Sequence, residues 1–281
     1  MIQIILMEHL INYFETISSL HRGLILAGGI ALFWIVESVN PFFKFKYDKI
    51  HHAGINLFFT LTTIIINFAL AFILLNTAQF VVTQHFGILQ WLPKMNSWLF
   101  TVLGILLLDF FGAYLAHFVE HRVKFLWKFH LIHHTDTFID TTSGNRHHPG
   151  ESVIRFIFTT LGVIIVGSPM WMVFLYQTLS VVATQFTHAN ICLPKKLDQI
   201  MSYFLVSPDM HKIHHHYKLP YTDTNYGNIF SVWDRIFGTF SYLNRENIVY
   251  GVDTHMNSNE NNVLTNLLKI PFQKSRTPKT E

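Results

Sequence analysis

Long runs of apolar residues dominate the pattern of this 281-residue chain, and they predict helices that cross a membrane. Three such runs cover residues 23–39, 55–82 and 98–116. The first contains a single acidic residue, Glu37, near its end, and the third is interrupted only by Asp109. Each run has at least 17 residues, which lies within the range of transmembrane helices.

A fourth apolar run, residues 156–187, is too long for one straight crossing. As a single helix it would extend roughly 48 Å at the usual rise per residue. Gly167, Ser168 and Pro169 interrupt it in the middle, and residues of these types end helices. The pattern therefore predicts a hairpin of two short helices, which returns the chain to the membrane face it left.

The composition supports an integral membrane protein of the all-α class. Half of the residues are hydrophobic and 13% are charged, compared with about 25% in ordinary soluble domains. A single cysteine, Cys192, excludes an internal disulfide and any cysteine-based zinc or iron–sulfur site. The net charge of +3 is modest and its lysines and arginines are dispersed, so no nucleic-acid partner is expected. The first residues lack the features of a cleaved signal peptide.

The basic residues predict the orientation of the chain. They follow the first and third apolar runs, whereas only Lys94 lies between the second and third. The residues in question are Lys44, Lys46, Lys49, Arg122, Lys124 and Lys128. Because such residues favour the cytoplasmic side, we expect a multi-pass protein whose third run emerges in the cytoplasm.

Histidines form the most specific pattern in the chain. Of 18 in total, most lie in short motifs between positions 117 and 216, namely HFVEH, HLIHH, RHHPGE, FTHAN and HKIHH. Offsets of three and four place imidazoles on one helical face. Eight to ten converging rings would be enough for two metal ions, and imidazole suits iron, zinc and copper alike. Isolated histidines such as His52 and His255 are expected to be packing residues.

These histidine motifs, or boxes, resemble those of the fatty acid hydroxylase superfamily of sterol desaturases and membrane lipid hydroxylases. The segment NYGNIFSVWDRIFGTF at 225–240 shares this resemblance. The resemblance covers roughly residues 100–255. It implies a cytoplasmic histidine-rich cap with two iron ions, which zinc can replace in purified protein, and O2 as co-substrate. The ligands that it implies are His117, His121, His130, His133, His134, His148, His188, His211, His214 and His215.

Asp109 lies eight residues before His117, on nearly the same helical face and inside an apolar run. Ligating histidines usually donate their second N–H to a carboxylate or carbonyl, so we expect Asp109 to orient a ligand in this way. The chain divides into a membrane region at 1–97, beginning with an interfacial helix before two spans, a catalytic domain at 98–255 and a tail at 256–281. The tail is expected to be disordered from about Gln273.

The predicted function is O2-dependent hydroxylation or desaturation of a membrane lipid, either a sterol, a fatty acyl chain or a related molecule. No nucleotide-binding fingerprint is present, so a separate protein is expected to donate electrons. One alternative is a zinc-dependent lipid hydrolase with Glu120 or Glu151 as base, and another is an ether-lipid monooxygenase. A metal transporter would need ionisable residues along its spans, where only Glu37 and Asp109 occur.

Overall fold

The computed structural model describes residues 2–277, with Ile2 and Ile4 described by their backbone alone, and is helical without a strand in this part of the chain. Its helices are α1 Ile2–Thr16, α2 Ser19–Val39, α3 Lys49–Thr83, α4 Ile88–Trp91, α5 Ser97–Asp109, α6 Leu115–Arg122, α7 Lys124–His134, α8 Pro149–Val166, α9 Met170–His188, α10 Lys195–Met201, α11 Pro208–His214, α12 Val232–Ile236, α13 Ser258–Asn261 and α14 Leu264–Lys269. Short 3-10 turns connect several of them.

Four helical stretches are long and apolar enough to cross a membrane, which confirms the all-α, membrane-type fold. They are Ser19–Val39, Lys49–Trp91, Ser97–Arg122 and Pro149–Val166. The third stretch joins α5 to α6 through a π-helical turn, Phe110–Tyr114. This turn packs closely on α8, because an added Cβ at Gly162 would lie 3.3 Å from the backbone nitrogen of Gly112. The side of the membrane on which each end lies stays a prediction.

The predicted hairpin in the fourth apolar run is confirmed. Helix α8 ends at Gly167, whose φ of 73° is the left-handed conformation that glycine adopts without strain. Pro169 then precedes the first residue of α9. The two helices have 18 and 19 residues, and together they return the chain to the end of the bundle where α8 began. His148 and His188 consequently lie at the same end.

The first helix packs across the opposite end of the bundle. The indole nitrogen of Trp98, in the first turn of α5, donates to the carbonyl of Gln3 at 3.1 Å. Phe14 is buried in the main apolar core together with Leu74 of α3. A helix in this region is therefore confirmed, and its position at a membrane surface remains a prediction.

The segment after residue 255 packs on the histidine-rich end of the molecule. Leu267 of α14 is fully buried in an apolar cluster with Ile132 of α7. The side-chain amide of Asn261 donates to the carbonyl of Thr135 at 2.9 Å. Disorder was expected from about Gln273 onward. Residues 278–281 of this segment lie outside the described residues.

Candidate metal centre

Nine buried histidines converge in two adjacent groups at one end of the bundle. The five-histidine group contains His117, His121, His130, His134 and His214, and the four-histidine group contains His133, His188, His211 and His215. Within each group, one ring nitrogen of every histidine lies within 4.8 Å of the others. These residues come from α6, α7, α9 and α11, so the centre joins distant parts of the chain.

Helices α7 and α11 each contribute to both groups. Successive helical residues point about 100° apart, so neighbouring histidines in a box cannot face the same point. In α7, His133 faces the four-histidine group while His134 faces the five-histidine group. In α11, His214 faces the five-histidine group, and His215, which directly follows that helix, faces the other group.

The spacing between the rings fits one ion in each group. Nε2 of His130 lies 3.1 Å from Nε2 of His117 and 3.2 Å from that of His134. In the other group, Nε2 of His188 lies 3.0 Å from Nε2 of His211. Ligands about 2.1 Å from an octahedral ion are separated by roughly 3.0 Å, so these nitrogens are spaced like ligands of a shared ion.

The chemical state of the rings fits a metal as well. Burial, followed by the repulsion between neighbouring rings, lowers the pKa of His130, His134 and His214 well below its ordinary value. These imidazoles are therefore neutral and offer a lone pair. Nε2 of His214 and Nε2 of His121 are buried without a hydrogen-bond partner, which is costly unless a cation meets them. We conclude that the residues present fit two ions.

A third set of potential ligands comprises Glu120, His130 and Glu151. The positively charged side chain of Arg155 already lies against its two carboxyl groups. The guanidinium of Arg155 lies 2.8 Å from a Glu120 oxygen and 2.9 Å from a Glu151 oxygen. Glu151 also lies 2.7 Å from Nδ1 of His130, the nitrogen that points away from the five-histidine group. These carboxylates therefore stand behind a histidine rather than on its metal-facing side.

Two carboxylates that contact the candidate ligands were not predicted in that role. Glu151 meets His130, and Asp223 Oδ1 lies 3.1 Å from Nδ1 of His121. Glu151 carries a local signal, because it stands four residues after His147 in the RHHPGE motif. Asp223 carries none, since it is about a hundred residues from His121 and only the folded chain brings them together.

Asp109, which we expected to orient a ligating histidine, contacts none of the nine histidines in the described structure. Its buried carboxylate accepts from the backbone N–H groups of Ile229 and Phe230 and from the indole of Trp233, each at 3.2 Å. Nδ1 of His117 lies 2.9 Å from a backbone carbonyl oxygen instead. Eight residues rise roughly 12 Å along a helix, so a shared face did not bring the carboxylate to the ring. Asp109 anchors the segment beneath the centre.

His148, the tenth predicted ligand, joins neither group. Its Nδ1 accepts from the backbone N–H of Gly150 at 2.9 Å, so the ring caps the first turn of α8. Its Nε2 lies 3.3 Å from the carbonyl of Leu268. Both ring nitrogens are thus engaged by the protein. The structure brings together the other nine of the ten predicted ligands.

A buried polar network holds the end of α7 in place. His52 of α3 lies 2.9 Å from Asp136 and 3.1 Å from Asp140, both just after α7. Burial opposes the charge on Asp136, but the neighbouring charges of His52 and Arg146 hold the pKa of this carboxyl well below its usual range. Arg146 is fully buried and donates to the carbonyl of Ile132 in α7. His52, expected as a packing residue, is buried in this network.

Comparison with known proteins identifies the domain that holds the centre. Residues 101–239 match the family model described as fatty acid hydroxylase, which confirms the resemblance for this part of the chain. An ornithine lipid hydroxylase of Rhizobium tropici is 28% identical over 158 residues. Human alkylglycerol monooxygenase is 28% identical over 165 residues, and a cholesterol 25-hydroxylase-like protein of Danio rerio is 24% identical over 167 residues.

These matches cover 56–58% of this chain. They span 45%, 35% and 65% of the bacterial, human and fish relatives, respectively, so the chain aligns with only part of each. No solved structure matches.

Proposed function

We propose that this protein is a membrane-bound di-iron oxygenase that uses O2 to hydroxylate or desaturate a lipid. One observation carries the proposal: nine buried imidazoles form two adjacent groups with ligand-like spacing, and no carboxylate within residues 2–277 joins either group. An all-nitrogen pair of sites beside apolar helices suits redox chemistry on a membrane lipid. The family match favours iron as the active metal.

Two ions held there would activate O2, which is the oxidant that attacks an unactivated C–H bond. Hydroxylation consumes the lipid, O2, two electrons and two protons, and it yields the hydroxylated lipid and water. The protein fixes the rings and keeps bulk water away, because all nine histidines are buried. Glu151, for example, holds a proton at Nδ1 of His130 and so leaves Nε2 free for a metal.

A zinc-dependent lipid hydrolase is less consistent with the positions of the acids. Such an enzyme needs a carboxylate base beside the metal-bound water. Glu120 and Glu151 are instead paired with Arg155 and stand behind His130. The geometry therefore favours the oxygenase over the hydrolase.

The names of the relatives favour a membrane lipid with a polar head group as substrate. Two of them are an ornithine lipid hydroxylase and an alkylglycerol monooxygenase, so ether-lipid oxidation is a second candidate reaction. We propose that the lipid enters sideways from the bilayer and that a separate protein supplies the electrons. The centre would face the cytoplasm, as the basic residues after the first and third spans indicate.

The orientation has a direct test. A chain with Cys192→Ser and either Lys124→Cys or Lys218→Cys should resist impermeant thiol reagents added to intact cells and react once the cells are opened. Labelling of either position from outside would contradict a cytoplasmic centre.

The reaction is tested with membranes that contain the full chain, a reducing system and 18O2. Mass spectrometry of extracted lipids should detect either one incorporated 18O atom or the loss of two hydrogens, since desaturation leaves no label. A His134→Ala variant, with the same expression and folding, should give neither product. Lipid turnover that proceeds without O2 and takes its oxygen from water would support the hydrolase.

A further inference from the structure

The two histidine groups differ in what stands behind their rings. In the five-histidine group, four of the five rings have a protein acceptor at Nδ1, opposite the metal-facing Nε2. Two of these acceptors are carboxylates: Glu151 at 2.7 Å from His130 and Asp223 at 3.1 Å from His121. The other two are backbone carbonyls, those of Tyr226 and Thr224, at 2.9 Å from His117 and 2.7 Å from His214.

The four-histidine group has much weaker support. Nδ1 of His188 lies 2.8 Å from the carbonyl of Thr184. Among the described residues, no protein acceptor meets Nδ1 of His133, His211 or His215, although these atoms are buried. In the described part of the chain, no carboxylate forms a hydrogen bond or ion pair with a ring of this group. The nearby charged residue of α11, Lys212, is buried with its ammonium over the ring of Phe42.

Carboxylate partners affect a metal ligand in two ways. They fix the ring in the tautomer and orientation that present Nε2, and they raise the basicity of the ligand. Beside the five-histidine group, the guanidinium of Arg155 contacts Glu120 and Glu151 and so holds the Glu151 carboxyl group in place behind His130.

We propose that the two positions hold metal unequally: the five-histidine position retains its ion, and the four-histidine position exchanges its ion first. Glu151 and Asp223 are the positioning residues that create the difference. This inference rests on the proposed function, because it requires two ions per chain. Mutation of such supporting residues typically costs about 10–100-fold in metal affinity, so a difference of at least about 10-fold in release rate is expected.

The test follows release of zinc alone, without an activity assay. Full-length protein in detergent, loaded with two zinc ions per chain, is mixed with EDTA, and retained zinc is measured over time by mass spectrometry. One ion should leave at least about 10-fold faster than the other. Glu151→Gln and Asp223→Asn should each accelerate the slow phase by about 10-fold or more and leave the fast phase unchanged. Glu246→Gln, at an exposed acid away from the centre, should change neither phase.

Single-ligand variants assign the phases. His211→Ala should remove the fast phase and retain one slowly released ion, whereas His214→Ala should remove the slow phase. Two ions that leave at one rate, or a slow phase lost in His211→Ala and kept in His214→Ala, would overturn the inference while leaving the dinuclear centre intact. A wild-type protein that never binds two ions would instead refute the proposed function. Helix content measured by circular dichroism verifies that each variant is folded.

Discussion

Helices α7 and α11 carry histidine boxes with the same spacing, yet they serve the two groups in opposite ways. The α7 box comprises His130, His133 and His134, and the α11 box comprises His211, His214 and His215. In α7 the first and last histidines face the five-histidine group and the middle one faces the other. In the α11 box this assignment is reversed. Each candidate ion position therefore needs both boxes, and neither helix can form a site alone.

The supports of the two helices also differ. The end of α7 is held by buried charged groups, among them Arg146 and Glu151. Helix α11 is held at its first turn, where the buried Asp198 accepts from the backbone N–H of Asp209 and Arg245 pairs with the Asp209 carboxylate. Charged groups therefore support the histidine-bearing end of α7, whereas in α11 they lie at the first turn, before the last two histidines of its box.

The largest effect is expected when the two adjacent histidines of the α7 box are replaced. His133→Ala and His134→Ala should each lower bound metal from two ions per chain to about one, because the two rings belong to different groups. Both should abolish lipid oxidation. The double variant should bind neither ion. Metal analysis of purified protein provides the measurement, and a double variant that still binds one ion would show that the two rings serve the same position.

Low pH should destabilise the metal-free protein, because the histidines of both boxes are buried in the neutral form. Burial lowers the pKa of all six box histidines well below its ordinary value. An unfolded chain takes up protons below about pH 6.5 while the folded chain does not, so the stability is complete above that pH and is lost as the pH falls through it. The thermal midpoint of EDTA-treated protein should decrease steadily from pH 7 to pH 5. A midpoint independent of pH over this range would contradict neutral, buried rings.

Arg146→Ala tests the charged support of α7. The guanidinium is fully buried and donates to the carbonyls of Ile132 and Asn261 and to the side chain of Asn56. Its removal leaves the acceptors of Asn56 and Asn261 without a donor, whereas the Ile132 carbonyl keeps its bond from the Thr135 hydroxyl. The loss should cost about 2 kcal/mol or more of unfolding free energy. Denaturant unfolding in detergent measures this cost. The matched control, Arg276→Ala at an exposed ion pair, should change stability by less than about 0.5 kcal/mol.

A smaller effect on stability is expected from substitutions of Asn225, whose amide supports α11. Its backbone φ is 57°, and its amide donates to the carbonyls of Met210 and Ser241 at 3.0 Å. Asn225→Gly loses these bonds but tolerates the left-handed conformation, whereas Asn225→Ala loses the bonds and is strained as well. Alanine should therefore be less stable than glycine by about 1 kcal/mol. Equal stability of the two variants would mean that the backbone relaxes here.

The sequence predicted the membrane helices and the histidine set because both depend on local periodicity. Apolar runs defined the spans, and the Gly167–Pro169 interruption defined the hairpin. Which ring belongs to which group depends on how α7 faces α11. No local sequence pattern encodes this arrangement. Asp109 and His148 lie outside both groups, because rise along a helix and capping geometry decide their partners. Asp223 could not be found, since only tertiary contact brings it to His121.

The central claim is that each chain holds two metal ions, one in each histidine group. Anomalous X-ray scattering from crystals of the metal-loaded full chain, recorded at the absorption edge of the metal, tests it most directly. We expect two peaks, one within bonding distance of the Nε2 atoms of His117 and His130 and one beside those of His188 and His211. A single peak, or a peak against the carboxylates of Glu120 and Glu151, would contradict the account.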